Sequence, residues 1–211
     1  MIKFIFLRHG ESETNRSKKF TGQLDVNLTD VGKRQAEIAS AYILQNFKID
    51  VLYSSDLSRA VETITPVANA LNLPVNKDKR LREFNLGKWT GLYIADVKLK
   101  YKTDFENYKN GGSATGGESI FDVQRRAYDF VLEIAKSNQD KTVLIATHGG
   151  VIRALLTKWL NYNGADLYKI PIISNNSITI VNYENEKFFI EEVSYDCYLD
   201  EKKTAQDKNL L

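Results

Sequence analysis

The 211 residues contain two histidines, one cysteine, one methionine and three prolines. A single cysteine excludes an intramolecular disulfide, and beside only two histidines it leaves no cluster of the kind that holds structural zinc. Cys197 has no histidine or basic neighbour in sequence, so it reads as an ordinary strand-end residue rather than a nucleophile. Long apolar runs are also missing. The amino-terminal run, residues 2–7, is broken by Lys3 and stopped by Arg8, too short for a bilayer span or a signal-peptide core. The cytoplasm is the compartment this predicts, and the sequons at Asn15, Asn27 and Asn175 then carry no weight. Charge of one sign is lacking too, with 29 Lys and Arg against 27 Asp and Glu. A net charge of +2 gives no bulk field for nucleic acid or an anionic membrane, so any anion must be held locally. No Gly-x-x-x-x-Gly-Lys-Ser/Thr, Gly-x-Gly-x-x-Gly or Gly-x-Ser-x-Gly motif occurs.

The two histidines are placed alike. Ile2-Lys3-Phe4-Ile5-Phe6-Leu7 leads into Arg8-His9-Gly10, and Thr142-Val143-Leu144-Ile145-Ala146 leads into Thr147-His148-Gly149-Gly150. A buried strand that ends in a polar side chain and a glycine turn is how open α/β sheets build ligand sites. Two imidazoles delivered this way predict one site assembled from both halves of the chain.

The remaining pattern alternates strand and helix. Thr29 caps a predicted helix over 30–46 with Val31, Ile38, Ala39 and Tyr42 on its apolar face. Val51-Leu52-Tyr53 reads as a short strand, and Ser54-Ser55-Asp56 as the start of a helix that carries Arg59 and is kinked or restarted at Pro66. A strand opens at Pro74-Val75. Residues 86–117, rich in glycine, read as a lid-like excursion with short helical pieces. Ser119 to Asp122 matches a capping box ahead of a helix to about Ser137. Strand 142–147, helix 150–160 and a hairpin over 177–193, turning at Glu184-Asn185-Glu186, complete the order. One α/β domain over 1–197 with a mostly parallel sheet follows, and 198–211 read as a loose polar tail.

Strand ends and helix starts bring Arg8, His9, Arg59, Glu83 and His148 toward one point. Guanidinium forks match phosphate oxygens, and backbone amides around Gly10 and Gly149 are expected to add donors. A neutral imidazole can attack phosphorus and split the transfer into two steps, with Glu83 as proton donor to the departing alkoxide. The scheme calls for no cofactor and no metal, because fixed cations offset the charge on the equatorial oxygens.

Leu7-Arg8-His9-Gly10-Glu11-Ser12-Glu13-Thr14-Asn15 resembles the signature of the histidine phosphatase superfamily, in its phosphoglycerate mutase-like branch. The resemblance continues at Phe20 to Gly32, Tyr53 to Ala60, Leu81 to Gly91, Gly116 to Ser119 and Thr147 to Gly150, in family order. It implies a three-layer α/β/α sandwich and a small-molecule phosphomonoester as substrate. It further implies His9 as the phosphorylated nucleophile, Glu83 as the acid, and Arg8, Arg59, His148 and Asn15 as the phosphate pocket. Gly149 joins that pocket, and Thr21 and Gly22 correspond to substrate-contacting positions.

Each residue has a plainer reading. Arg59 can pair with Asp56 or Glu62 on its helix, and Glu83 can be a surface carboxylate. Glu11 and Glu13 read as helix-start acids, Arg125-Arg126 as a salt-bridged helix face, and Trp89 as core. Between activities, residues 91–116 contain no arginine or proline, only Lys98, Lys100, Lys102 and Lys109 as cations. The mutases resemble one another in an Arg-Arg pair and a proline-rich insertion there, so hydrolysis is favoured, with mutase activity as the alternative. A non-catalytic phospho-ligand-binding protein is a lesser alternative, opposed by the presence of nucleophile, acid and arginines together. A two-histidine metal site lacks a third ligand and has Arg8 beside it. A sugar phosphate, a phosphoglycerate or α-ribazole phosphate all fit as substrate, and the chain fits a monomer or a homodimer.

Overall fold

Apolar runs without alternation are buried on both faces, and here they form the middle of one sheet. The computed structural model describes residues 1–199. In chain order the elements are β1 (Ile2–Arg8), α1 (Glu13–Arg16), α2 (Asp30–Asn46), β2 (Val51–Ser54), α3 (Ser58–Leu71), β3 (Val75–Lys77), α4 (Ile94–Lys100), α5 (Lys102–Lys109), α6 (Ile120–Ser137), β4 (Thr142–Thr147), α7 (Gly149–Trp159), β5 (Ile178–Glu184) and β6 (Lys187–Tyr195). Strand order is β3-β2-β4-β1-β5-β6. The first four are parallel, and the β5–β6 hairpin adds the antiparallel edge.

Successive side chains on a strand point to opposite faces, so β1 feeds two cores. Ile2, Phe4 and Phe6 pack with Val143, Ile145 and the inner faces of α6 and α7. Ile5 and Leu7 pack with Leu52, Leu144 and the inner faces of α2 and α3. The result is a three-layer α/β/α sandwich whose central pair, β1 and β4, runs in the register Arg8↔Thr147. Adjacent strands lie about 4.8 Å apart, so this register sets His9 and His148 side by side as they leave the sheet. The His9 N–H donates to the Thr147 carbonyl at 3.0 Å, prolonging the ladder to the histidine itself.

Several local expectations are corrected. α3 begins at Ser58 rather than Ser54 because tertiary partners take the expected cap residues. Ser54 is the last residue of β2, and the Ser55 N–H still donates to Ala146 of β4. Asp25 caps α3 from a distance, accepting from the Ser58 N–H at 2.7 Å and from its hydroxyl at 3.0 Å. Pro66 lies inside that helix without ending it. On α2 the buried face runs through Gly32, Gln35, Ala36, Ala39, Ser40 and Ile43, while Val31, Ile38 and Tyr42 are half-buried. That face is turned toward the β1 exit: Gln35 Oε1 accepts from the Glu11 N–H at 3.0 Å. The two first residues of the expected tail are packed, Leu199 being buried and Tyr198 stacking on Tyr42 with ring centroids 4.4 Å apart. Residues 200–211 lie outside the described residues. The 86–117 excursion is tied down by Trp89, which is fully buried against Phe20, Phe105 and Tyr108.

Candidate active site

His9 and His148 meet at the carboxyl edge of the sheet, ring centroids 5.1 Å apart and planes inclined by 59°. His9 Nδ1 lies 2.8 Å from the carbonyl of Gly10. A carbonyl only accepts, so Nδ1 carries the proton and Nε2 keeps its lone pair. Burial first, then the guanidinium groups of Arg59 and Arg8, hold the His9 imidazole well below its ordinary pKa. A neutral ring with a defined free nitrogen is what nucleophilic attack requires. The same causes, burial and then Arg59, depress His148.

His148 is oriented by a residue whose role the sequence did not disclose. Its Nε2 lies 2.9 Å from Ser55 Oγ. The Leu57 N–H donates to the same oxygen at 3.4 Å. His148 Nδ1 is buried with no partner among the described residues, which leaves it as the ring nitrogen that can meet a bound oxyanion.

Arg59 is fully buried. Neither competing partner holds it: Asp56 makes a bidentate pair with Arg82 at 2.6 Å, and Glu62 accepts from the Leu28 N–H. Its Nη1 and Nη2 instead donate to the carbonyls of Leu24 and Gly22 at 2.8 and 2.9 Å, and Nε has no partner among the described residues. Burial lowers its pKa to about 10, so it remains a cation at neutral pH. A buried guanidinium with no carboxylate in contact is costly on its own and is complementary to a bound dianion. Arg8 donates through Nη1 to the carbonyl of Ile173. Gly149 opens α7 with Arg8 Nε 3.3 Å from where a Cβ would stand, so the arginine lies against the helix start.

Glu83 is not a loose surface carboxylate. Its Oε1 accepts from the Phe84 N–H at 2.9 Å and its Oε2 from the Gly150 N–H at 3.1 Å. A Cβ at position 150 would stand 2.2 Å from Oε1, so glycine there is what lets the carboxylate reach the amino terminus of α7. Arg126 buttresses the same loop, donating to the carbonyls of Glu83 and Arg80 while paired with Glu118 at 2.8 Å. That is the salt-bridged face expected of it.

Asn15 Oδ1 accepts from the Ser12 N–H at 3.2 Å, which fixes the amide and leaves Nδ2 as a donor with no partner among the described residues. Thr21 shares a 2.5 Å hydroxyl contact with Thr14, and Gly22 serves the site through its carbonyl on Arg59. One expected donor is not available: the Gly10 N–H is spent on Thr63 Oγ1 at 3.0 Å. Gly10 is required for another reason, since a Cβ there would meet Asn176 Nδ2 at 2.6 Å and the Gly32 carbonyl at 2.7 Å.

A model of the histidine phosphatase superfamily (branch 1) matches residues 4–196. The chain belongs to the histidine phosphatase superfamily. It is 34% identical over 206 residues to phosphoserine phosphatase 1 of Hydrogenobacter thermophilus, covering 95% of this chain and 96% of that one. It is also 32% identical to a 2,3-bisphosphoglycerate-dependent phosphoglycerate mutase of Corynebacterium kroppenstedtii, over 81% of this chain and 82% of the mutase. Among solved structures, a mycobacterial glucosyl-3-phosphoglycerate phosphatase in complex with VO3 superposes with a TM-score of 0.86 at 28% identity, covering 92% of this chain and all but 1% of that one, its coverage being 99%.

Sequence reading missed the loop that holds His9 in this member of the superfamily. Asn175 Nδ2 donates to the His9 carbonyl at 2.8 Å, and the Asn176 N–H to the Arg8 carbonyl at 3.1 Å. Asn176 is fully buried with φ of 56°, a left-handed backbone that asparagine tolerates better than most residues. The signal available was an Asn-Asn pair directly before a strand.

Proposed function

We propose that this protein hydrolyses a small phosphorylated metabolite through a phosphohistidine on Nε2 of His9. The observation that carries the reading is the pair of neutral imidazoles, ring centroids 5.1 Å apart, beside a fully buried arginine with no carboxylate in contact among the described residues. The Nε2 lone pair forms the bond to phosphorus as the bond to the ester oxygen breaks. Glu83 gives its proton to the departing alkoxide, and the alcohol leaves. Water then attacks the phosphohistidine, Glu83 takes a proton from it, the P–N bond breaks and orthophosphate departs. Arg8, Arg59, His148 Nδ1 and the Asn15 amide offset the charge that builds on the equatorial oxygens. Among the described residues no three His, Cys, Asp or Glu side chains cluster to hold a metal, and no helix is long and apolar enough to cross a membrane. A cytoplasmic metabolite is the substrate setting we propose.

Mutase activity is the second reading, favoured by the mutase relative. Hydrolysis is preferred because the segment over the site, residues 91–116, has neither the arginine pair nor the prolines. The deciding experiment is a phosphate-release panel of monoesters in the presence of EDTA, run beside a mutase assay with 3-phosphoglycerate primed by 2,3-bisphosphoglycerate. Orthophosphate release, insensitive to EDTA and faster than isomerisation, is expected. Isomerisation outrunning release makes the protein a mutase.

Glu83→Gln separates acid from bystander. The variant is expected to lose on the order of 10²-fold or more on alkyl phosphates and far less on aryl phosphates, whose leaving groups need little protonation. Equal losses on p-nitrophenyl phosphate and glycerol phosphate remove Glu83 from the acid's role.

A further inference from the structure

Three segments at the edge of the site are closed into a ring, and one of its links is an ion pair. His148 Nε2 lies 2.9 Å from Ser55 Oγ, which joins the end of β4 to the loop leaving β2. The next residue, Asp56, is bound by the Arg82 guanidinium, Nε donating to Oδ1 and Nη2 to Oδ2, both at 2.6 Å. Glu83 follows Arg82, and its Oε2 accepts from the Gly150 N–H at 3.1 Å, two residues beyond His148. The contacts thus return to the histidine from which they start.

Most surface ion pairs hold little, because water screens them and two long side chains lose freedom. This one differs in geometry and in what it joins. Both carboxylate oxygens meet the guanidinium fork, and the Asp56 and Arg82 side chains are only 19% and 30% exposed. Hydrogen bonding from Arg82 holds the Asp56 carboxyl below its ordinary pKa, so the pair is ionised at neutral pH. Further anchors of the same loop lie on α6 and β4. Arg126 donates to the Glu83 carbonyl at 3.1 Å, and Thr147 Oγ1 to the Leu81 carbonyl at 2.8 Å. Arg82 adds the tie to the loop in which Ser55 meets His148.

Resting on the phosphatase reading and the acid role of Glu83, we propose that the Asp56–Arg82 pair is a positioning strut that sets Glu83 against the phosphate pocket. Neither residue reaches the reacting atoms, and each acts through its neighbour in sequence. Misplacing a catalytic group by about 1 Å can cost on the order of 10²-fold in rate, so losing the strut falls on the step that needs the acid. Arg82→Met and Asp56→Asn are each expected to lower kcat on glycerol phosphate about tenfold and on p-nitrophenyl phosphate less than about threefold, with KM little changed. The double variant Arg82→Met/Asp56→Asn is expected to lose no more than either single, since both remove one link. Arg82→Lys keeps the charge without the fork and is expected to restore part of the glycerol phosphate rate. In a Glu83→Gln background, Arg82→Met is expected to add no further loss specific to the alkyl ester. A merely structural pair would lower Tm and move both esters alike. Asp56→Asn, nearly isosteric and partly exposed, decides the matter where Arg82→Met fails to fold. An alkyl-to-aryl rate ratio that stays at the wild-type value in the folded single variants overturns the proposal, as do losses that add in the double variant. Wild-type release of orthophosphate from both esters keeps the phosphatase reading standing in those cases, whereas release from neither defeats that reading and the strut with it.

Discussion

Replacing His9 with alanine is expected to lower turnover on the order of 10⁴-fold or more, the scale on which covalent enzymes fail without their nucleophile. The expectation follows from the ring's two nitrogens. Nδ1–H is committed to the Gly10 carbonyl, so only Nε2 can bond to phosphorus. Two candidate replacements are already disposed of: Ser55 is engaged with His148, and Cys197 is exposed beyond β6. Alanine leaves the backbone bonds of residue 9 to Thr147 and Asn175 intact, so the fold should persist with its pocket arginines in place. A folded, inactive variant that still binds phosphate is therefore the expected product. Thermal unfolding, turnover and alkaline-quench phosphorylation together check it. Near-normal activity in His9→Ala removes covalent catalysis.

Arg59→Ala is expected to cost on the order of 10²–10³ in kcat/KM, about 3–4 kcal/mol of transition-state stabilisation. Two of its nitrogens are held by the carbonyls of Leu24 and Gly22, so the fork is set before substrate arrives. Arg59→Lys keeps the charge but not the fork, and should recover only part of the loss. Stability is expected to respond differently from activity. Removing a buried guanidinium relieves its desolvation while leaving two carbonyls without donors, so the change in Tm is small beside the change in rate. A loss under threefold places Arg59 outside the pocket.

What the sequence revealed and concealed divides along physical lines. The central strands were legible because unbroken apolar runs have few other uses, and their glycine-flanked histidines marked the shared edge. The start of α3 was not. Ser54 and Ser55 have the chemistry of a helix cap, but β4 and His148 claim them, and Asp25 caps the helix from more than thirty residues away in sequence. The face of α2 was misjudged for a related reason: polar Gln35 and Ser40 are buried against the loop leaving β1, where hydrophobic periodicity has nothing to report. Gly10 looked like an anion-binding turn, yet its glycine is needed for close packing against Gly32 and Asn176. Glu83 shows the limit most plainly. Its identity was readable, but only the fold shows that Gly150 admits the carboxylate to the α7 terminus.

The most direct single measurement is ³¹P NMR, with peptide mapping, of protein quenched in alkali during turnover. Phosphate bonded to Nε2 of His9, in an amount that decays as orthophosphate appears, is the expected result. Phosphate on Nδ1, on His148 or on any hydroxyl, or steady turnover with no phosphoenzyme at any quench time, contradicts it.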